Sequence, residues 1–165
     1  MKAIAILAGF ACSVAVCAPA VADPSREAHG VGDAYAAPGV ALAWGILRGA
    51  DEPATRVVVR IVADPQLYPF VAAIGMNPFS KGQQPLLPRT PTGGSVEIRV
   101  PRAQYADFPR TEIRFYGTTA TDAPALVVFY LGVPDTTPEF ATEANLNAYL
   151  TDRIARARAA GSTGK

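Results

Sequence analysis

Alternation of apolar and other residues over three short runs is the feature that most limits the fold of this chain. The runs span residues 55–63, 95–100 and 111–116, and apolar residues recur at every second position in each of them from Val57, Val96 and Ile113 onward. A period of two places those side chains on one face of a β-strand, so Arg60 is expected on the solvent side. The residues expected to face the core are Val57, Val59, Ile61, Val96, Ile98, Val100, Ile113 and Phe115.

An apolar run precedes the first of these strands. It covers residues 40–47 with Trp44 near its centre, and a turn-like segment at residues 49–53 separates it from residues 55–63. Two β-forming runs joined by a short turn predict a hairpin.

Two less regular strands are expected further along the chain. Residues 67–74 predict an irregular strand, because Pro69 interrupts the run. Residues 125–131 are apolar on both faces, which predicts a central strand that is covered on both sides.

The C-terminal part of the chain changes to the period of an amphipathic helix, over about residues 143–159. Its N-cap is either Thr142 or Thr137, and Pro138 suits the position after the second of these. The arginines in its second half suit the negative end of the helix dipole. The apolar stripe consists of Leu146, Leu150, Ile154 and Ala157.

Several short strands followed by one helix predict the fold class. The chain is expected to be mainly β, an antiparallel β-sandwich (immunoglobulin-like or similar) with one C-terminal α-helix. Residues 40–160 would form this single domain, and residues 23–39, with little apolar content, would form a flexible N-terminal arm.

The first 22 residues read as a signal peptide. Lys2 precedes an uncharged apolar stretch, Pro19 interrupts it, and small residues at positions 20–22 suit cleavage before Asp23. This predicts a periplasmic or secreted protein. An uncleaved membrane anchor and a lipid-modified Cys17 are the alternatives.

Composition excludes several kinds of chemistry. Both cysteines, Cys12 and Cys17, lie in the signal, and His29 is the only histidine. The remaining chain therefore offers no disulfide, no thiol nucleophile and no pair of histidines for a metal, and we expect neither a cofactor nor a metal. The chain has 15 Lys and Arg against 14 Asp and Glu, so its charge is nearly balanced and nucleic acid is not an expected partner.

Carboxylates remain available for catalysis. Glu97 and Glu112 are expected on outward faces of neighbouring strands, with Arg99 and Arg114 two residues further along. A cross-strand ladder of ion pairs is the simpler interpretation. The alternatives are a carboxylate-dependent hydrolase acting on a glycan, and a small-ligand or metal carrier that uses a cavity near Trp44 or the arm at His29.

The segment over residues 75–94 is the candidate binding site. Four prolines interrupt it, and twenty residues without periodic structure are unusual in a small domain unless they bind something. We therefore expect a non-catalytic binding or accessory module, with no membrane span after signal cleavage, that contacts a protein of the cell envelope through this loop. The alternative is that its apolar residues fold back onto the sandwich. The candidate partner-binding residues are Met76, Phe79, Lys81, Gln83, Gln84, Leu86, Leu87 and Arg89.

Overall fold

The computed structural model describes residues 27–29, 34–77, 82–107, 110–117, 125–132 and 136–162. The predicted signal at residues 1–22 lies outside these ranges. The strands are β1 (Glu27–His29), β2 (Ala34–Ala37), β3 (Val40–Leu47), β4 (Arg56–Ala63), β5 (Phe70–Asn77), β6 (Gly82–Pro91), β7 (Ser95–Pro101), β8 (Arg110–Tyr116), β9 (Val127–Leu131) and β10 (Glu139–Phe140). The helices are α1 (Arg102–Asp107) and α2 (Glu143–Ser162).

The strands form two mainly antiparallel sheets, which confirms the predicted sandwich. Sheet A has the order β1-β9-β8-β5-β6, and sheet B has the order β10-β3-β4-β7, with β2 also paired to β3. Counted from β3, the first, second and fifth strands share sheet B, and the third, fourth, sixth and seventh share sheet A. Immunoglobulin-like sandwiches separate the first, second and fifth strands from the third, sixth and seventh in this way, whereas the constant type places its fourth strand with the first group.

The main core lies between the sheets and contains the apolar residues predicted from alternation. Seven of the eight predicted positions are buried there, and Val96 packs half-buried against them. Trp44 and Phe129 lie in the same core with no exposed surface, and their ring centroids are 5.9 Å apart. The hairpin of β3 and β4 is also confirmed, since the two strands pair without a register shift.

Helix α2 covers the outer face of sheet B. Its Leu146, Leu150 and Ile154 pack against a second apolar cluster supplied by β3 and β4. The helix begins after Thr142, whose Oγ1 accepts a hydrogen bond from the Asn145 N–H at 3.3 Å, so Thr142 is the cap. In the middle of β3, a Cβ atom at Gly45 would lie 2.9 Å from Leu146 Cδ1, so glycine allows the helix to approach closely.

The strand that is covered on both sides is β3. Strand β9 lies centrally between β1 and β8, as predicted for residues 125–131, but the predicted cover on both of its faces is wrong. Every residue of β3 except Leu47 is buried, because sheet A lies on one side of it and α2 on the other. In β9 the residues alternate between buried and half-buried. The apolar pattern of residues 125–131 therefore does not reflect a second covering layer.

Two further expectations differ from the structure. Within residues 23–39, β1 pairs parallel with β9 and β2 pairs antiparallel with β3, so parts of the expected arm extend the two sheets. The third strand starts at Phe70, so Pro69 precedes β5 and does not interrupt it. In the described part of the chain, no helix is long and apolar enough to cross a membrane.

A network of ion pairs joins α2 to sheet B. Glu97 binds Arg60 on the neighbouring strand (Nη2–Oε1, 2.5 Å) and Arg99 on its own strand (Nη2–Oε2, 2.9 Å). Arg99 also pairs with Glu143 at the start of the helix, and Arg60 donates to Asn147 Oδ1 at 2.6 Å. Arg60 is therefore only 18% exposed and lies under the helix, contrary to the expectation that it faces solvent.

This network lowers the pKa of two carboxyl groups. Burial raises the pKa of Glu97, but hydrogen bonds and charge from Arg60 and Arg99 outweigh it and leave the pKa below its ordinary value. The pKa of Glu143 is lowered mainly by its hydrogen bond to Arg99. Both groups therefore bind protons less tightly in the folded chain than in the unfolded chain.

Acid is expected to weaken the attachment of the helix. The stabilisation from Glu97 and Glu143 is complete above the pKa of an unfolded glutamate, about 4.3, and is lost as the pH falls through the lower folded values. We expect the free energy of unfolding to fall over this acid range, and to fall less in Glu97→Gln. Urea titrations at a series of pH values measure how the free energy of unfolding depends on pH in the wild-type chain and in Glu97→Gln. An equal dependence in the two proteins would contradict the role given to Glu97.

Candidate partner-binding face

The segment expected to be a loop is a hairpin in its described part. Strand β5 continues to Asn77, and β6 pairs with it from Gly82 to Pro91. The prolines are accommodated because β6 is the edge strand of sheet A, where half of the backbone N–H groups need no strand partner. Two register shifts, on either side of Ala73, make β6 irregular. The expectation of a segment without regular structure was therefore wrong.

Part of the predicted binding set packs onto the core. Leu86 and Leu87 are half-buried and contact the core cluster between the sheets. This favours the alternative in which the apolar residues of the segment fold back onto the sandwich. Phe79 and Lys81 lie outside the described residues.

The other predicted binding residues lie around one surface. Gln83 and Gln84 are exposed on β6, and Met76 is half-buried on β5, opposite Gln83. Because Val71 and Ala73 point into the core, strand alternation places Met76 on the opposite side of sheet A. Arg89 lies over this same side, against Phe70 and Tyr116.

This surface, which we call the outer face, is the side of sheet A turned away from sheet B. Strands β5, β8 and β9 contribute its residues from the positions between their core residues, and β6 contributes Arg89. Large apolar, aromatic and arginine side chains predominate on it, and most of them are half-buried. Its residues are Phe70, Ile74, Met76, Arg89, Glu112, Arg114, Tyr116, Val128 and Tyr130.

Arg89 is held between two aromatic rings. Its guanidinium carbon lies 4.2 Å from the ring centroid of Tyr116 and 5.3 Å from that of Phe70. Phe70 and Tyr116 are register partners on β5 and β8, so the sheet itself positions both rings. Each cation–π contact contributes about 0.5–1 kcal/mol at such a site. The result is an arginine with restricted conformational freedom on a rigid sheet.

A tight ion pair lies beside this cluster. Arg114 donates to Glu112 Oε2 from Nη2 at 2.6 Å and from Nε at 3.1 Å. Burial lowers the pKa of Arg114, but Glu112 and Tyr116 outweigh this effect and raise it, so the guanidinium stays charged. Glu112 is only 6% exposed, so its carboxylate is largely withdrawn from solvent.

The two carboxylates considered for catalysis do not lie on neighbouring strands. Glu97 is on β7 in sheet B and Glu112 is on β8 in sheet A, so the predicted cross-strand ladder is wrong. Each glutamate instead pairs with the arginine two residues along its own strand. Their neighbours Ile98 and Ile113 point into the core, so the two glutamates face outward on opposite sides of the sandwich. Paired glycosidase carboxylates face each other across less than about 10 Å, so this pair does not form such a site.

The structure adds no support for a ligand or metal site at Trp44 or His29. Trp44 fills the core between the sheets, and no residue that the structure describes accepts a hydrogen bond from its Nε1. His29 belongs to β1 opposite Tyr130. Within the described ranges, no three His, Cys, Asp or Glu side chains are grouped as metal ligands.

A shallow polar depression lies at one end of sheet B. Its volume is about 240 Å³, and Arg48 and Arg102 lie on its wall with Glu139 between them. Glu139 pairs with Arg48 at 3.0 Å and with Arg102 at 2.6 Å. The carboxylate thus bridges the two guanidinium groups, and the acidic residues Asp51 and Glu52 also line the depression, so the arrangement reads as a structural cluster of charges.

No protein-family model matches the chain, and neither a curated protein nor a solved structure matches it. The assignment of function therefore depends on the geometry of the chain itself.

Proposed function

We propose that the chain is an exported, non-catalytic binding module that contacts a protein partner of the cell envelope through the outer face of sheet A. The observation that carries this proposal is the set of aromatic, apolar and arginine side chains on that face, with Arg89 stacked between Phe70 and Tyr116. Phe, Tyr, Met and Arg are the residue types enriched at the centres of protein interfaces.

The contrast between the two sheets supports this choice. The outer face of sheet B has a covering layer within the chain, since α2 buries its leucine stripe there. Strands with one solvated face ordinarily place polar residues on it. The outer face of sheet A instead presents Ile74, Met76 and Val128 beside its aromatic residues. This composition is suited to contact with another protein.

The chemistry of the face indicates the kind of partner segment. Ile74 and Met76 on β5 offer apolar side chains, and the Arg114–Glu112 ion pair on β8 lies between them and Val128 on β9. Arg89 adds a second guanidinium group beside Phe70 and Tyr116. An apolar side chain flanked by a carboxylate or by backbone carbonyls would complement both features. Gln83 and Gln84 are exposed at the rim, where amide groups can form hydrogen bonds.

Site-specific photo-crosslinking in intact cells tests the proposal. A photoreactive phenylalanine at Ile74 is expected to give one discrete crosslinked protein, because this position lies in the middle of the outer face. The matched control carries the same group at Thr151, which is exposed on α2 on the opposite side of the sandwich. The product at position 74 is expected to fall several-fold in Arg89→Ala and to be unchanged in Arg156→Ala.

Two results would overturn the assignment. One is a crosslinked product of equal yield and size from positions 74 and 151, which would indicate non-specific proximity. The other is no product at position 74 in a chain that is exported and folded. N-terminal sequencing of the same purified chain reports on export separately, because cleavage before Asp23 is expected.

A further inference from the structure

Strand β7 ends sheet B with a regular edge, and within the described ranges no further strand pairs with that edge. It pairs with β4 on one side in unbroken register, from Arg56 opposite Pro101 to Val62 opposite Ser95. One edge strand of sheet A, β6, has three prolines and two register shifts, which hinder the addition of a further strand. Strand β7 has neither device before its final residue, Pro101.

The backbone groups that face outward on β7 follow from the hydrogen bonds at its two ends. The N–H of Ala63 donates to the Gly94 carbonyl at 3.1 Å, and the N–H of Arg102 donates to the Thr55 carbonyl at 3.0 Å. Hydrogen-bonded positions alternate along an antiparallel pair, so even-numbered residues of β7 bond to β4. The N–H and C=O groups of Ser95, Glu97 and Arg99 therefore point away from the sheet.

We propose that β7 pairs antiparallel with β7 of a second copy of the chain, with Glu97 opposite Arg99 of the partner subunit. By symmetry Arg99 then lies opposite Glu97 of the partner subunit, which is the reciprocal pattern of an isologous two-fold interface. Sheet B would continue across both copies. This inference uses a different surface from the proposed function and does not depend on it.

Charge complementarity selects this register over its neighbours. Two neighbouring registers also keep the outward N–H and C=O groups hydrogen-bonded. One of them places Glu97 opposite Glu97 of the partner subunit, and the other places Arg99 opposite Arg99 of the partner subunit. Like charges directly opposite are destabilising, whereas opposite charges stabilise a cross-strand pair by about 0.2–1 kcal/mol. A shift of two steps toward the start of β7 places Glu97 opposite Ser95 and loses both ion pairs.

The other side of the strand is compatible with the same register. Val96 then lies opposite Val100 of the partner subunit, and Ile98 lies opposite Ile98 of the partner subunit. All of these are β-branched residues, which pack well as cross-strand neighbours. Ile98 and Val100 are already in the core, so the two cores would meet at the shared edge.

The expected affinity is modest. Such a pairing forms about six hydrogen bonds between the chains, because Pro101 has no N–H to donate. An interface of one strand per subunit lies toward the small end of specific interfaces, so dimers should form at high micromolar concentrations.

Sedimentation equilibrium of the chain from residue 23 onward tests the pairing, with two charge variants. Arg99→Glu gives a chain with glutamate at positions 97 and 99. Glu97→Arg gives a chain with arginine at positions 97 and 99. Each variant alone places like charges opposite each other, so its dimerisation should weaken about tenfold or more relative to wild type. An equimolar mixture of the two variants restores opposite charges at every pair, and is expected to form a heterodimer at least as tight as the wild-type dimer.

A backbone variant keeps the test valid if Glu97→Arg is too unstable beside Arg60. Ser95→Pro removes an outward N–H without removing a bond to β4, and Ser95→Ala is its matched control because it retains the N–H. Weaker association of Ser95→Pro at an unchanged melting temperature supports the pairing. A wild-type chain that stays monomeric up to about 1 mM overturns it, as does a dimer unaffected by the charge variants and by Ser95→Pro.

Discussion

Replacement of Phe129 by alanine is expected to lower the free energy of unfolding by about 3–5 kcal/mol. Phe129 has no exposed surface, and its ring packs between Tyr35 at 4.9 Å and Trp44 at 5.9 Å (centroid distances). Removing the ring leaves a cavity between two sheets that cannot close without moving both. Urea denaturation monitored by Trp44 fluorescence measures the change.

The matched control is the preceding residue. Val128 is half-buried on the outer face of sheet A, so Val128→Ala is expected to cost about 1 kcal/mol or less. A much larger loss in the free energy of unfolding for Phe129→Ala than for Val128→Ala indicates that only one face of β9 lies in the core. Similar large losses for both would mean that β9 is covered on both sides, as its sequence alone suggests, and would contradict the described structure.

The second large effect is expected in the helix. Leu150 is fully buried in the cluster between α2 and sheet B, so Leu150→Ala should lower the free energy of unfolding by about 2–5 kcal/mol. Alanine favours the helix at least as well as leucine, so the loss reports packing and not helix propensity. Thermal and urea unfolding, followed by far-ultraviolet circular dichroism, measure it.

Asp152→Ala on the same helix is the control. Asp152 is 51% exposed and pairs with Arg156 one turn along the helix, at 2.8 Å, so the change should stay within about 0.5 kcal/mol. If Leu150→Ala has an equally small effect, α2 does not pack on sheet B and the three-layer arrangement is wrong. Loss of α2 signal before the main transition would indicate that the helix unfolds separately.

The fold was predictable wherever the pattern is local. Alternation along residues 95–100 and 111–116 identifies which side chains enter the core, because successive side chains of a strand point to opposite faces of the sheet. The helix was predictable for the same reason, since its stripe has a period close to 3.6. Layering was not predictable, because whether a strand such as β3 is covered on its second face depends on where α2 packs.

Proline misled the interpretation of residues 75–94. Proline lacks an N–H and is rare in central strands, so four of them in one segment indicate a loop. At the edge of a sheet the missing donor faces solvent and costs little, so β6 can be a strand. Edge position is a property of the whole sheet and cannot be inferred from the segment.

The candidate site was only partly predictable. Met76 and Arg89 were selected as residues of a loop, yet their common surface arises from the pairing of β5 with both β6 and β8. The stacking of Arg89 on Phe70 and Tyr116 depends on that register, and no local sequence motif predicts it. The alternation over residues 111–116 that points Ile113 and Phe115 inward also points Tyr116 outward, and this was the one available signal. The separation of Glu97 from Glu112 likewise depends on the chain crossing between sheets after β7.

Oxidative footprinting of Met76 in intact cells tests whether a partner covers the outer face of sheet A. Met76 lies on the outer face and is the only methionine after Met1, so its oxidation by hydroxyl radicals can be quantified by mass spectrometry without ambiguity. If a partner covers this face, Met76 is expected to be oxidised several-fold more slowly in cells than in the purified chain, while Tyr149 on α2 reacts equally in both. Equal oxidation of Met76 in the two settings, relative to Tyr149, would mean that no partner covers the outer face in cells.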